Sequence, residues 1–518
     1  MGKISLYSLN LPPFVVLFIL WKGEQNMKKK YLSFVFLFAI CLTLLISHNA
    51  KADSLQSTRL GGFDRYETNT KVIQQGWQKS DYAIVVGGEN FPDALSATPL
   101  AKKYNAPIFM VNQIGVDVFT TNEFRRLGVK KVFIIGGPGV ISTLSDDELK
   151  SNGIPYERIY GKDRYQTSID IANKIGTKNG VVVATGTDYS DALSIAPVAG
   201  KLQMPIILSR QDVLDSIQKK FISTNTIPKT YVVGGTDIIS NNVASKFPKV
   251  QRIATEDNRY ARNLDIINTF ANNIDFSTAI LASGADFPDA LSGSALGALN
   301  GNPIILTGRH EGWQNTEYAD KSRIETLLGN KSTKNIYALG LEGSISDDDL
   351  NDIVNSTDAL NTIKSKVTLS TNLTFAVNYD KYSDDGSTYY RISLQEERNG
   401  LKLHGFYQYD FLVDTETGDT YKIDIDTKEI TPLDTIKIDS NNVKQRAVEL
   451  IADKITEKDS NTEIQYCGIE NINNKKYHYI KAYDNLYDRI STVGFYYIDV
   501  NTNTIYQKDI NDVLKPID

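Results

Sequence analysis

The sequence is nearly without cysteine and histidine, with two and four in 518 residues. Cys41 lies in an apolar leader, so Cys467 is the one thiol beyond it. That excludes an internal disulfide framework and any zinc site built on several thiolates. His310, His404 and His478 follow the leader without HExxH or HxxxH spacing, which leaves metal hydrolase chemistry little to work with. Positive charge is also scarce. The first 52 residues hold six Lys and one Glu, and without them the formal charge of -6 becomes -11. No broad basic field remains to displace counterions, so nucleic acid is not an expected partner. An anionic partner must be held by a local cluster.

Other absences narrow the chemistry. GxGxxG follows none of the strand-like runs, and the GK[ST] ending of a P-loop is missing, so Gly87-Gly88 and Gly136-Gly137 read as tight turns at strand ends. No Gly-x-Ser-x-Gly elbow occurs, and Cys467 and His478, eleven apart, read as a coincidence. No catalytic constellation and no cofactor are expected. What is present is globular: 41% hydrophobic and 23% charged residues, in a length that suits three or four domains at about 150 residues each.

The first of these segments is a leader. Met27-Lys28-Lys29-Lys30 opens a basic region, Tyr31 to Ile46 is uncharged and apolar, and Ala50-Lys51-Ala52 offers a small-x-small cleavage site. Residues 27–52 are read as a secretory signal peptide, with an extracellular mature chain that has no membrane span. Ile40 before Cys41 disfavours lipid anchoring, and no Leu-Pro-x-Thr-Gly or apolar tail precedes Asp518, so covalent wall linkage is not expected. Residues 1–26 read as a mis-called extension, because Lys22-Gly23-Glu24 is what a purine-rich ribosome-binding stretch would encode ahead of Met27. The other reading is a genuine long leader with an apolar patch from Phe14 to Trp21.

Self-comparison is the most informative operation. Phe91-Pro92-Asp93-Ala94-Leu95-Ser96 recurs as Tyr189-Ser190-Asp191-Ala192-Leu193-Ser194 and as Phe287-Pro288-Asp289-Ala290-Leu291-Ser292, 98 residues apart each time. Asp64-Arg65-Tyr66-Glu67-Thr68 recurs as Asp163-Arg164-Tyr165-Gln166-Thr167, then loosely as Asp257-Asn258-Arg259-Tyr260. Val132 to Gly137 recurs as Thr230 to Gly235 and weakly as Ile336 to Gly340. Within a copy the pattern predicts a strand Tyr82–Val86, a helix from an Asn90 cap to about Lys103, a strand Ile108–Val111, a helix near Asn122–Leu127 and a strand Lys131–Ile135. Asp188 and Asp286 take the cap position of Asn90, and Asp93, Asp191 and Asp289 fall at the helix N-terminus, where the dipole favours them. Short apolar strands alternating with helices predict a parallel sheet covered on both faces. The boundaries are 59–157, 158–251 and 252–350. The last copy is degenerate, with Arg262 at the Thr position, Leu341 at the second Gly and a charged insertion around Gly308 to Lys321.

The combination of Arg-(hydrophobic)-x-Gly-x-Asp-Arg-Tyr-x-Thr, x-Phe-Pro-Asp-Ala-Leu-Ser, Pro-Ile-(Ile/Phe)-(Leu/Met) and Gly-Gly resembles the clostridial cell-wall-binding repeat of type two. The resemblance covers about residues 59 to 350. It implies three tandem Rossmann-like α/β repeats in a closed pseudo-threefold arrangement, on a secreted surface protein. It also implies non-covalent attachment to an anionic secondary polysaccharide of the Gram-positive wall, with surface-layer proteins as further candidate partners.

Arg65, Arg164 and Arg259 are the candidate ligand residues, because a planar guanidinium matches carboxylate or phosphate bidentately. The alternative is that each is a strut, locked to a neighbouring Asp or to Asp93, Asp191 and Asp289. Residues 365–518 differ from the rest, holding 15 of the 28 Tyr but 6 of the 35 Gly and 2 of the 15 Pro. Alternation such as Tyr421 to Asp426 predicts half-exposed strands, and Val443, Ala447, Leu450, Ile451 and Ile455 mark one face of a helix. The spans 414–421 and 499–506 share an Asp and a Tyr at equal spacing, which suggests two related α+β halves a little like PepSY or cystatin-like modules. Two functions stay open: a wall-held surface protein displaying this domain, or a wall-anchored enzyme or protease-inhibiting module with its effector there.

Overall fold

A computed structural model describes residues 54–256, 258–308, 315–369, 373–378, 381–398, 401–404, 409–425, 427–438, 451, 462–473, 475–486, 489–499, 504–508 and 513–517. The expected leader lies outside them, as do Asp257, residues 309–314 of the insertion with His310, and the expected helix except Ile451.

The repeat region holds three four-stranded, all-parallel sheets. The chain starts with β1 (Gln56–Leu60). The first unit contributes β2 (Tyr82–Gly87), β3 (Ile108–Val111) and β4 (Lys131–Ile135), and β5 (Tyr156–Ile159) completes its sheet. The second has β6 (Val181–Thr185), β7 (Ile206–Ser209), β8 (Thr230–Val233) and β9 (Val250–Ile253). The third has β10 (Thr278–Ser283), β11 (Ile304–Thr307) and β12 (Asn335–Leu339). Their orders are β3-β2-β4-β5, β7-β6-β8-β9 and β11-β10-β12-β1. Every fourth strand thus leads into the next unit, and β1 serves the third, pairing Gln56 to Leu60 with Asn335 to Leu339. The ring is closed. Strands β2, β6 and β10, paired on both sides, are largely apolar and buried along almost their whole length, as parallel strands covered on both faces must be.

At the centre meet three helices that carry or directly follow the repeated Ala-Leu-Ser: Ala97–Tyr104, Ser190–Lys201 and Pro288–Asn300. The second is buried from Ser190 to Gly200, so its outer face is another repeat rather than solvent. Small residues permit the approach. A Cβ at Gly200 would stand 2.7 Å from that of Ala298, and one at Gly297 would press on Pro197. Thr98 and Ser294 share a hydroxyl hydrogen bond of 2.7 Å between the first and third repeats.

The expected caps shift by a residue or more. The second and third helices begin at Ser190 and Pro288, and the first copy makes a short 3-10 turn, Ala94–Ser96, before its helix. Asp188 and Asp286 instead accept from the backbone N–H groups of Ser190 and Phe287, both at 2.8 Å. Asp191 and Asp289 lie in the first helical turn, and Asp93 immediately precedes the 3-10 turn.

Helix Asp347–Lys366 joins the third repeat to the C-terminal region. Leu350 and Ile353 pack with the repeat, whereas Leu360 and Ile363 pack with the following sheet. That sheet is antiparallel except where Leu401–His404 runs parallel to Thr462–Ile472. Tyr390, Ile392 and Leu394 alternate inward, with Phe411, Ile464, Ile480 and Ile498 from neighbouring strands. The two Asp-to-Tyr spans share a closing backbone hydrogen bond at the same spacing. Asp414 N donates to Asp419 O at 2.9 Å and Asp499 N to Thr504 O at 3.0 Å.

Candidate functional site

Arg65, Arg164 and Arg259 open equivalent helices, each capped by the residue before it. Asp64 accepts from Tyr66 N and Glu67 N, Asp163 from Gln166 N, and Asn258 from Ala261 N. The cap fixes the first turn, and the arginine there reaches back over the end of its own first sheet strand. Arg65 donates to Gly88 O at 2.8 Å, Arg164 to Gly186 O at 2.5 Å, and Arg259 to Gly284 O at 2.8 Å.

Each guanidinium then crosses to the preceding repeat in the ring. Arg164 lies over the Phe91 ring at 5.7 Å, Arg259 over Tyr189 at 5.1 Å, and Arg65 over Phe287 at 5.6 Å. The three rings touch one another, with centroids 5.6, 5.7 and 6.3 Å apart. An aromatic trio therefore sits on the pseudo-threefold axis with an arginine on each member. Such cation–π contacts are worth roughly 0.5–2 kcal/mol, depending on exposure. The side chains of Arg65 and Arg259 retain 35% and 32% exposure, so both readings from the sequence meet in one residue. They bridge repeats and keep a face open to solvent.

Asp93, Asp191 and Asp289 lie behind this layer. Burial pushes all three carboxyls above the usual carboxylate range, against the opposing pull of nearby side chains. The partners differ: Thr167 bonds Asp93, Arg262 bonds Asp191, and Ser344 bonds Asp289. These aspartates do not form ion pairs with the axial arginines among the described residues. The carboxylates that do are Asp188, 3.1 Å from Arg259, and Asp286, 3.7 Å from Arg65.

Sequence reasoning gave no role to the aromatics at 91, 189 and 287, although they recur every 98 residues like the aspartates. That periodicity was the available signal. The arginines of the strand motif also find their role here. Arg59, Arg158 and Arg252 donate to the carbonyls of Gly340, Gly136 and Gly234, tying down the turn after the third strand of the preceding unit. Those glycines have φ of +84°, +125° and +94°, a region that favours glycine.

Three phased motifs on a closed ring of parallel sheets match the family described as Cell wall binding domain 2 (CWB2), over residues 59–144, 158–244 and 252–349. The chain belongs to this family. It is 31% identical over 316 residues to the N-acetylmuramoyl-L-alanine amidase LytC of Bacillus subtilis, covering 61% of each protein. It is also 31% identical over 252 residues to the Amidase enhancer of that organism, covering 48% of this chain and 34% of the enhancer. Among solved structures, Cwp6 of Clostridium difficile aligns with a TM-score of 0.52 and 27% identity, over 61% of this chain and 51% of Cwp6. Cwp8 of the same organism, at 24% identity and a TM-score of 0.52, shares the fold over 62% of this chain and 55% of Cwp8. The chain thus spans about three-fifths of LytC and a third of the enhancer. It is a wall-associated protein.

The His478 ring bonds the Tyr466 hydroxyl at 3.0 Å, while Cys467 Sγ points to Gln465 O. Among the described residues no group of His, Cys, Asp and Glu is arranged to hold a metal ion. No described helix is long and apolar enough to cross a membrane.

Proposed function

We propose that this protein is secreted and held non-covalently on the Gram-positive wall, its three repeats binding an anionic secondary wall polysaccharide. The observation that carries the reading is the axial layer, where three guanidinium groups on aromatic faces stand at one place on a chain that is otherwise acidic. With the mature chain near -11, long-range attraction to a polyanion is weak, so binding rests on local, partly dehydrated contacts. Guanidinium groups backed by rings suit that, because they are weakly hydrated and keep a bidentate fork.

In this reading the chain is itself not an enzyme. Its likeness to LytC runs through the wall-binding repeats, and the C-terminal sheet is the displayed effector. The test is to sediment the mature chain with purified clostridial walls before and after chemical removal of the secondary polymer. Retention on intact walls and release from stripped walls is the expected result. Equal retention on both would refute the polysaccharide as ligand.

A further inference from the structure

The axial site is threefold in its arginines but not in its charge. Arg259 is paired with Asp188 and Arg65 with Asp286, each carboxylate coming from the preceding repeat. Arg164 belongs to the second repeat, and the matching position of its preceding repeat, 98 residues before Asp188, holds Asn90. No carboxylate stands within ion-pair range of Arg164 among the described residues, and its one protein hydrogen bond runs to Gly186 O. Arg259 by contrast has three hydrogen-bond acceptors, Tyr189 Oη, Gly284 O and Asp188. Resting on the reading above, we propose that Arg164 is the principal anion-contacting residue of the site, and that Asn90, by lacking a charge, sets where on the ring the wall polymer docks.

The physical argument is competition. An anionic group that approaches Arg65 or Arg259 must displace or lie beside a carboxylate that already stands within 4 Å of the guanidinium, and like charges at such range are costly. At Arg164 it meets a guanidinium whose protein hydrogen bond goes to a backbone carbonyl rather than a carboxylate, and a repeat whose matching residue is an exposed, neutral amide. Asp93 lies buried behind this layer, bonded to Thr167, and makes no ion pair with Arg164 among the described residues. The ligand class is an acidic glycan bearing carboxylate or phosphate, either of which fits the fork.

The full mature chain tests this through charge alone. Asn90→Asp supplies the missing carboxylate on an exposed side chain. Asp188→Asn and Asp286→Asn remove the other two while keeping an oxygen for the Ser190 and Phe287 amides. Wall affinity is read by co-sedimentation with intact and polymer-stripped clostridial walls, and folding by melting temperature. Asn90→Asp and Arg164→Lys should each weaken retention about tenfold or more at unchanged melting temperature for the former, whereas Asp188→Asn and Asp286→Asn should strengthen it. If Asn90→Asp is neutral while Arg65→Lys or Arg259→Lys costs as much as Arg164→Lys, the asymmetry is wrong but the site stands. If every variant binds like the parent, the axial site is not the polysaccharide site. A destabilised Arg164→Lys would leave the decision to the three Asn and Asp exchanges.

Discussion

Arg262 Nε donates to Asp191 Oδ1 at 2.7 Å, in an ion pair whose side chains keep only 10% and 2% exposure. Arg262 stands where the first two repeats have Thr68 and Thr167, so what looks in the sequence like decay of the third copy is a different solution at the same seam. The pair joins the second repeat to the third. Arg262→Ala should cost about 3–5 kcal/mol, because Asp191 is left as an uncompensated buried charge. Adding Asp191→Asn should recover part of that. Denaturant midpoints of the single and double variants check it, and purely additive losses would show that the two side chains do not stabilise one another.

A second buried group, beside the Asp352–Lys381 ion pair, makes stability depend on pH. Glu325 is 5% exposed in helix Asn315–Asn330, and burial raises its pKa from 4.5 to about 8 despite the opposing charge of Lys321 and Lys381. Asp352 adds to the rise, and itself pairs with Lys381 at 2.8 Å and with Lys321. The folded chain therefore keeps a proton that the unfolded chain releases above pH 4.5. Stability falls as pH rises from 4.5 to about 8, then levels off. Glu325→Gln lacks this slope. Its advantage over the parent should grow by roughly 1.4 kcal/mol per pH unit across that window, measured by denaturant midpoints at pH 5, 7 and 9. A constant difference would mean that Glu325 is already ionised in the folded state.

Gly340 sits in a crowded, left-handed turn of the ring. At φ +84° its added Cβ would lie 2.5 Å from Ser344 Oγ and 2.6 Å from Asp289 Oδ2. Gly340→Ala should destabilise by more than about 1 kcal/mol, since left-handed backbone and crowding act together. The melting temperature would report it, and no change would mean that the turn relaxes freely.

Removing residues 54–60 tests the closure of the ring. It takes away the partner of β12 and the buried Leu55 and Leu60. Amide exchange at 335–339 should accelerate strongly while that of β2–β4 changes little. Protection at both places unchanged would contradict the role of β1.

Much of the fold was legible because its signals are local. β3 and β4 follow the apolar runs Ile108–Val111 and Lys131–Ile135, and the left-handed glycines end the third strands. The fourth strands were not foreseen. Tyr156–Ile159 and Val250–Ile253 are edge strands with one or two charged residues among four, and they pair with the unit before them. A half-polar strand with a remote partner leaves no clear period. For the candidate site, the arginines could be picked from their repetition. The carboxylates at 188 and 286 read as caps, because ion pairing between repeats depends on an arrangement around an axis that no single repeat contains.

The pairing of β1 with β12 also fixes an order of events as the chain is made. Strand β1 emerges first and must wait for a partner 281 residues later at the Arg59–Gly340 contact, while β5 and β9 follow their partner strands closely. The first two sheets can form as the chain lengthens, but the third cannot until the last repeat is present. Such distant pairing is slow, because loop entropy is lost before contacts repay it. A chain stopped short of residue 335 would leave β1 as an unpaired edge open to proteolysis or aggregation. The ring thereby registers whether the wall-binding region has been made in full, and an interrupted product is exposed to removal before it can occupy the wall.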